Sequence, residues 1–142
     1  MTSSCVKQSL ILYNLHLVNK EISSKFEGCT GLSQSRLELL YQLYQVDEMS
    51  QKELQKKVGI DNAAITRHLK YLEAKEMVSR RKKSTDNRVT LVSLTDYGRG
   101  AFCSFREEQE RFASSALKGF TEEERDELLQ VLDRIQKNIN EM

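Results

Sequence analysis

Between Met77 and Leu94 the chain holds two short strand-like runs, Met77–Lys82 and Val89–Leu94, around a polar tip, Lys83–Arg88. Thr85, Asp86 and Asn87 in that tip are residue types that close turns, so the segment reads as a β-hairpin. Arg80, Arg81, Lys82, Lys83 and Arg88 give it five positive side chains against one negative, Asp86. Like charges crowded on a hairpin repel one another, and a docked polyanion is what would relieve them. The hairpin stands directly behind a short two-helix unit. That order narrows the expected fold to a winged helix and the expected partner to duplex DNA.

The two-helix unit is legible residue by residue. Ser50-Gln51-Lys52-Glu53 spells a capping box, in which the Ser50 hydroxyl and the Glu53 carboxylate satisfy each other's backbone N–H. The short helix it opens runs to about Val58, and Gly59 supplies the left-handed residue that ends it. Asp61 or Asn62 starts the next helix, which extends to about Lys75. Leu54, Val58 and Ile60 are the apolar positions of this helix-turn-helix. At about 100° per residue, Ile65, Leu69 and Leu72 share one face of the second helix, and Ala63, Thr66, Arg67 and Lys70 share the opposite one. The first set packs inward. The second is a stripe of small and cationic residues suited to the major groove. Arg67 can reach guanine O6/N7 or a phosphate, and the Ala63 or Thr66 methyl can touch a thymine methyl. Asn62 can donate to a base edge or a phosphate. His68, beside the stripe, reads as a surface or phosphate-adjacent residue.

A chain of 142 residues fits one domain, or a small domain with helical extensions. With 30% charged residues, no proline and a mean hydropathy of −0.57, a soluble and helix-rich protein is expected. No apolar run approaches the roughly 20 residues of a membrane span and the N-terminus has no secretory pattern, so the expectation is a cytoplasmic protein without a membrane partner. The net charge of +1 conceals an asymmetry. Residues 30–95 carry 12 Lys/Arg and 8 Asp/Glu, a net of +4, and the remainder carries −3. The middle of the chain is therefore biased toward nucleic acid. Cys5, Cys29 and Cys103 are distant and odd in number, with no CxxC, and His16 and His68 are the only histidines. Neither a metal site nor a disulfide framework is suggested. A Gly-rich phosphate loop, a nucleophile elbow and HExxH are all missing, so neither an enzyme nor a cofactor is expected.

The flanks read as helices. Residues 5–26 carry two apolar stripes, Val6/Leu10/Tyr13/Leu17 and Ile11/Leu15/Val18/Ile22/Phe26, and Gly28 and Gly31 end the helix. Ser33 can cap a helix over Gln34–Gln45, with Leu37, Leu40, Tyr41 and Tyr44 on its buried side. Thr95 can cap a helix of about 24 residues with Phe102, Phe105, Phe112, Ala116 and Phe120 on its apolar face. Thr121-Glu122-Glu123-Glu124 is a second capping box, opening a helix with Leu128, Val131, Leu132, Ile135 and Ile139 on one side. The expected fold is mainly α with a small β-hairpin wing. A winged helix-turn-helix at 33–95 is flanked by dimerisation helices at 1–32 and 96–142. Apolar faces of this length call for a second copy of the chain, which makes a homodimer the expected assembly. His16, among the apolar positions of the first helix, reads as an interface histidine.

On these residues the chain resembles the MarR family of transcriptional regulators over essentially its whole length. The segment Ala64-Ile65-Thr66-Arg67-His68-Leu69-Lys70-Tyr71-Leu72-Glu73 looks like the family's Thr-Arg pair with spaced leucines. Val78 and Arg80 match its lead into the wing, Asp86-Asn87-Arg88 its Asp-x-Arg signature, and Leu94-Thr95-Asp96-Tyr97-Gly98 its Leu-Thr-x-x-Gly junction. The resemblance implies a homodimeric repressor on a pseudo-palindromic operator, released by a small-molecule effector or by oxidation. It implies wing contacts from Arg80, Lys82, Lys83, Asp86 and Arg88, with Arg88 in the minor groove and Asp86 held by a nearby arginine such as Arg80. It also implies phosphate contacts from Arg36, Ser50 and Gln51. Glu76 stands where the family commonly has Gly, so a differently shaped helix end is expected there. For the effector, Tyr13, His16, Phe26 and Tyr41 are candidate pocket residues. For oxidation, the candidates are Cys5, at the start of the first helix, and Cys103, on the long helix. Two alternatives stay open: a winged-helix protein-interaction module and an architectural DNA binder without sequence preference.

Overall fold

The computed structural model describes residues 3–142. The chain runs α1 (Ser4–Thr30), α2 (Gln34–Tyr44), β1 (Met49–Ser50), α3 (Gln51–Val58), α4 (Asn62–Ala74), β2 (Val78–Lys83), β3 (Asp86–Leu94), α5 (Asp96–Ala116) and α6 (Glu122–Asn140). Residues up to Gln109 form one compact unit and Glu110–Met142 a second. The architecture is mainly helical with a small β wing, as the sequence predicts.

Each helix in the first unit starts where a short polar side chain can accept from an orphan N–H. Ser3, Ser33, Ser50 and Asp61 cap α1 to α4 in this way. α1 continues through Gly28, contrary to expectation. A glycine inside a helix weakens it by about 1 kcal/mol but does not stop it. The stop comes from Gly31, at φ 74°, whose N–H donates to the Glu27 carbonyl at 2.7 Å. In α2 the buried face is Leu39, Leu40 and Leu43 rather than the expected set that held both tyrosines. Leu37 and Tyr44 are half-buried and Tyr41 is exposed. Both tyrosine rings rest against Phe102 of α5, with centroids at 6.3 Å for Tyr41 and 4.8 Å for Tyr44, at the margin of the core.

The core of this unit joins α2, α3, α4 and the sheet. Leu39, Leu40, Leu43, Leu54, Ile65, Leu69, Leu72 and Val92 are fully buried, each contributing about 1.5–3 kcal/mol. Ile65, Leu69 and Leu72 are thus the inward face of α4. The sheet is antiparallel in the order β1-β3-β2. β1 was not anticipated, because two residues carry no alternation to read. The wing also differs at its tip. Only Ser84 and Thr85 lie outside the strands, where a longer tip, Lys83–Arg88, was expected. Lys82 pairs with Thr90 and Lys83 already with Asp86, so the register slips and Asn87–Val89 bulge out of β3.

The joint after α4 corrects the expectation drawn from Glu76. Glu76 adopts the left-handed conformation at φ 60° despite its side chain. Its N–H donates to the Glu73 carbonyl at 2.9 Å, and the Met77 N–H donates to the Leu72 carbonyl at 3.0 Å. This is the double bond pattern of a helix end normally built on glycine. Thr95, ahead of α5, donates its hydroxyl to the Glu76 carbonyl at 2.6 Å and accepts from the Gly98 N–H at 2.9 Å. Neighbouring bonds therefore hold the glutamate in its strained conformation. Glu76→Gly should raise stability by about 1 kcal/mol by removing that strain. An unchanged urea midpoint would contradict this.

α5 spans 21 residues, somewhat fewer than expected. In the second unit, Thr121 and Glu124 form both halves of the expected capping box at α6. No residue of α6 is buried in the single chain. Leu128, Val131, Leu132 and Ile139 are 39–54% exposed, and Val6, Leu10, Ile11, Tyr13 and Val18 of α1 are 46–57% exposed. Among the described residues, no helix is long and apolar enough to cross a membrane.

Candidate nucleic-acid interface

Asp61 caps α4 by accepting from the Ala64 N–H at 2.7 Å. That leaves Asn62 in the first turn with its side chain exposed. Ala63, Arg67 and Lys70 are exposed along the same side of α4. Thr66 is half-buried, and its hydroxyl donates to the Asn62 carbonyl at 2.7 Å. With the hydroxyl hydrogen committed to the backbone, Thr66 can offer its methyl and its hydroxyl oxygen as an acceptor, but no donor. The outer stripe of α4 therefore presents a short amide, two methyl groups and two cations.

The β1–β3 pairing draws the root of the wing against the start of α3. Between them lies a cleft of about 450 Å³, lined by Ser50, Gln51, Lys52, Gln55, Asn62, Arg88, Val89 and Thr90. Ser50, Gln51, Asn62 and Arg88 were separate suggestions from sequence, and the fold brings them to one cleft. The Ser50 hydroxyl accepts from the Glu53 N–H at 3.1 Å, holding the first turn of α3 in shape.

The wing's charges are more compensated than its sequence suggests. Arg80 makes a two-point contact with Glu73 of α4, both at 3.1 Å, and this bond pulls the Glu73 carboxyl below its usual range. Arg81 holds Glu48 at 2.9 and 2.7 Å. Arg88 holds Asp86 at 3.1 and 3.3 Å, and the Arg88 N–H adds a third bond at 3.0 Å. Those bonds keep the Asp86 carboxyl low, the side-chain contact first and the backbone contact second. Lys82 donates to Thr90 at 3.0 Å. The crowding of like charges is thus largely relieved within the chain, since three of the five cations have an internal carboxylate. The expected Asp86–Arg80 pair does not form. Arg80 stands opposite Val92 at the root of the wing, six residues along β3 from Asp86. At roughly 3.3 Å per residue that span is too long for the pair. Arg80 is instead a tether between the wing and α4, with its side chain only 21% exposed. Arg88, on the bulge, is 91% exposed and points its guanidinium into solvent under the control of Asp86.

Sequence reasoning missed one cluster. Arg36, in the first turn of α2, donates from Nε to His68 Nδ1 at 3.2 Å, and its guanidinium lies 3.7 Å above the Tyr71 ring. Burial first, then the charges of Arg36 and Arg67, push the His68 pKa below the ordinary histidine value. The spacing of His68 and Tyr71 puts them on one side of α4. Only the fold reveals the arginine, 32 residues earlier, that joins them.

A second cavity of about 450 Å³ lies among α1, α2 and α5, with Phe26, Leu37, Tyr41, Phe102 and Phe105 as its apolar wall and Glu38 and Arg106 among its polar groups. Tyr13 and His16, also suggested for a pocket, are exposed on α1 and do not line it. Cys5, Cys29 and Cys103 are free and exposed. The Cys103 sulfur lies 3.6 Å from the Tyr44 hydroxyl, and this contact raises the Tyr44 pKa. Among the described residues, no group of three or more His, Cys, Asp or Glu could hold a metal ion.

The MarR family model matches residues 32–90, from the loop before α2 into the wing. The HTH-type transcriptional regulator YdgJ of Bacillus subtilis (strain 168) is 57% identical over 140 residues, which cover 99% of this chain and 85% of that protein. The crystal structure of the transcriptional regulator PA4135 is 26% identical, with a TM-score of 0.71 over 91% of this chain and 95% of that one. A mutant MarR from E. coli, solved in complex with operator DNA, shares the fold. It is 22% identical, with a TM-score of 0.78 over 94% of this chain and 99% of that one.

Proposed function

Because the chain belongs to the MarR family of transcriptional regulators, we propose that it binds a pseudo-palindromic operator as a homodimer and is released from it by a small molecule or by oxidation. The observation that carries the reading is the convergence of Asn62, at the start of the exposed α4 stripe, the α3 start and the wing arginine on one cleft. In this reading α4 lies in the major groove, with Asn62, Ala63, Thr66, Arg67 and Lys70 toward the bases. Arg88 enters the minor groove, where a narrow groove concentrates negative potential. Ser50 and Gln51 meet phosphates at the start of α3, where free backbone N–H groups favour an anion. Lys82 and Lys83 add charge along the wing. Residues 33–95 are the DNA-binding lobe, and 1–32 and 96–142 supply the contacts between subunits. The half-exposed apolar side chains of α1 and of α6 support that division, since patches of this extent are unusual on a monomer.

Binding is tested by fluorescence anisotropy on the DNA upstream of the protein's own gene and on a scrambled duplex, with sedimentation to give the assembly. Specific binding should exceed non-specific binding by at least about 1,000-fold and fall steeply with salt. Equal binding to both duplexes would favour the architectural alternative. Salt-insensitive or absent binding would favour a protein-interaction module. Arg67→Ala should weaken operator binding by about 1–3 kcal/mol per recognition helix and relax base preference. Equal losses on both duplexes would assign Arg67 to phosphate instead.

The cavity among α1, α2 and α5 supports the effector half of the proposal. Its size suits a small ligand, and aromatic walls with one acid and one base suit a ligand that is partly apolar and partly charged. For oxidation, Cys103 is the better-supported candidate, being exposed and in contact with Tyr44 of α2.

A further inference from the structure

We propose that His68 positions Arg36 against a DNA phosphate beside the recognition helix, and that proton uptake by His68 releases it. This rests on the DNA-binding reading above.

Arg36 differs from the wing arginines. Arg80, Arg81 and Arg88 each hold a carboxylate. Among the described residues, no carboxylate is paired with Arg36. Its Nε edge is taken by His68 Nδ1 and one face of its guanidinium by Tyr71. An arginine fixed at its Nε edge and one face has only its outer amino groups left to donate, and on a DNA-binding surface the anion that accepts two such bonds is a backbone phosphate. It stands in the first turn of α2, where Ser33 caps the helix and the helix dipole favours an anion. Its anchor residues belong to α4, and Arg67, on the DNA-facing stripe, is the immediate neighbour of His68. The phosphates reached from there are those bordering the groove that α4 enters.

The anchor works in one protonation state only. Nδ1 accepts from Arg36 while the ring is neutral, so the ring proton sits on Nε2. Protonation converts Nδ1 into a donor facing another donor, and the bond is lost. The charged groups around His68 are Arg36 from α2 and Arg67 on α4, with Lys75 beyond, 5.6 Å from the Tyr71 ring centre. All are cations, so a proton on His68 adds repulsion as well. Because the folded pKa lies below the unfolded one, the stability linked to this contact is full above the unfolded value. It is lost as pH falls through the folded value. Operator affinity should also fall in acid, because the lost bond no longer aims Arg36. A histidine that merely faces phosphate behaves oppositely, gaining charge in acid and tightening the complex.

The test measures anisotropy on the upstream duplex between about pH 7.5 and about pH 5.5 at fixed salt, in a His16→Asn background that removes the other histidine. The protein with His68 intact should lose roughly a hundredfold in affinity on acidification, one charge-assisted bond in each subunit. His68→Asn offers an amide oxygen where Nδ1 stands and does not titrate. It should bind like the intact protein at the higher pH and keep that affinity at the lower. His68→Leu should be weak throughout, and Arg36→Gln should be weak with a salt slope reduced by about two per dimer. An affinity that is flat or rises in acid with His68 present would overturn the inference, as would a His68→Leu variant that binds normally. Long-range nitrogen–proton NMR of the free protein supplies an independent readout. The Nε2–H tautomer is expected, and Nδ1–H would overturn the anchor. If no duplex is bound at the higher pH, the DNA-binding reading itself fails, whereas specific binding with the wrong pH trend overturns only this inference.

Discussion

Replacing Arg88 with alanine should reduce operator affinity by about three orders of magnitude. A minor-groove arginine contributes on the order of 2 kcal/mol, a homodimer carries two wings, and about 4 kcal/mol corresponds to roughly a thousandfold. The structure explains why the loss should be this large. Arg88 sits on a bulge with its side chain almost fully exposed, and Asp86 holds its guanidinium at two points. Such an arginine gives up less conformational freedom on binding than a free one. Removing it also leaves Asp86 as an unpaired carboxylate facing the phosphates. The double variant Asp86→Asn/Arg88→Ala should therefore bind better than Arg88→Ala alone. The salt slope should fall by about two, one phosphate per wing. A loss of less than about threefold for Arg88→Ala, at salt where binding is specific, would remove the wing tip from the interface.

The second large effect is on folding. Gly98→Ala should destabilise the protein by about 3 kcal/mol, the upper end of what overpacking usually costs. A β-carbon at Gly98 would lie 2.9 Å from the Met77 carbonyl carbon and 3.1 Å from its Cα, and closer still to the carbonyl oxygen. These are backbone atoms and cannot rotate aside. Met77 is held from both sides, its N–H on Leu72 and its carbonyl accepting from the Thr95 N–H at 3.1 Å. Moving it would disturb the joint among α4, β2 and α5, where Glu76 is already in a strained conformation. Gly100, two residues on, has nothing within contact of a β-carbon. Gly100→Ala should stabilise by up to about 1 kcal/mol through helix propensity alone. Urea midpoints at matched protomer concentration separate the two. Equal midpoints for Gly98→Ala and the parent would mean that α5 and the wing root are not packed this closely.

What could be read from the chain was what lies within one turn or one helix. Ser33, Ser50 and Thr121 each cap the helix they were expected to cap, because a cap needs only a side chain three residues from the N–H it serves. Gly59 ends α3 for an equally local reason. Ile65, Leu69 and Leu72 are buried because helical periodicity puts them on one face. The exposed stripe on the other side of α4 follows from the same geometry.

Pairings between distant segments were not legible. Glu73, Glu48 and Asp86 are each a plausible partner for any wing arginine by charge, and only the packing of α4 and the sheet assigns them to Arg80, Arg81 and Arg88. Tyr41 and Leu39 lie on adjacent parts of α2, and the position of α5 leaves the tyrosine exposed beside Phe102. Glu76 takes a glycine's conformation because a bond from Thr95, just after β3 returns to the wing root, helps hold it there. Sequence by itself thus determined the order of the helices, most of their caps, the inward face of α4 and the family. The partners of each charge, the cleft that gathers Ser50, Gln51, Asn62 and Arg88, and the seating of Arg36 on His68 and Tyr71 were decided by tertiary structure. Local propensities act over a few bonds. Ion pairs and clefts depend on which surfaces meet once the apolar faces are buried, and a linear pattern does not encode that distance.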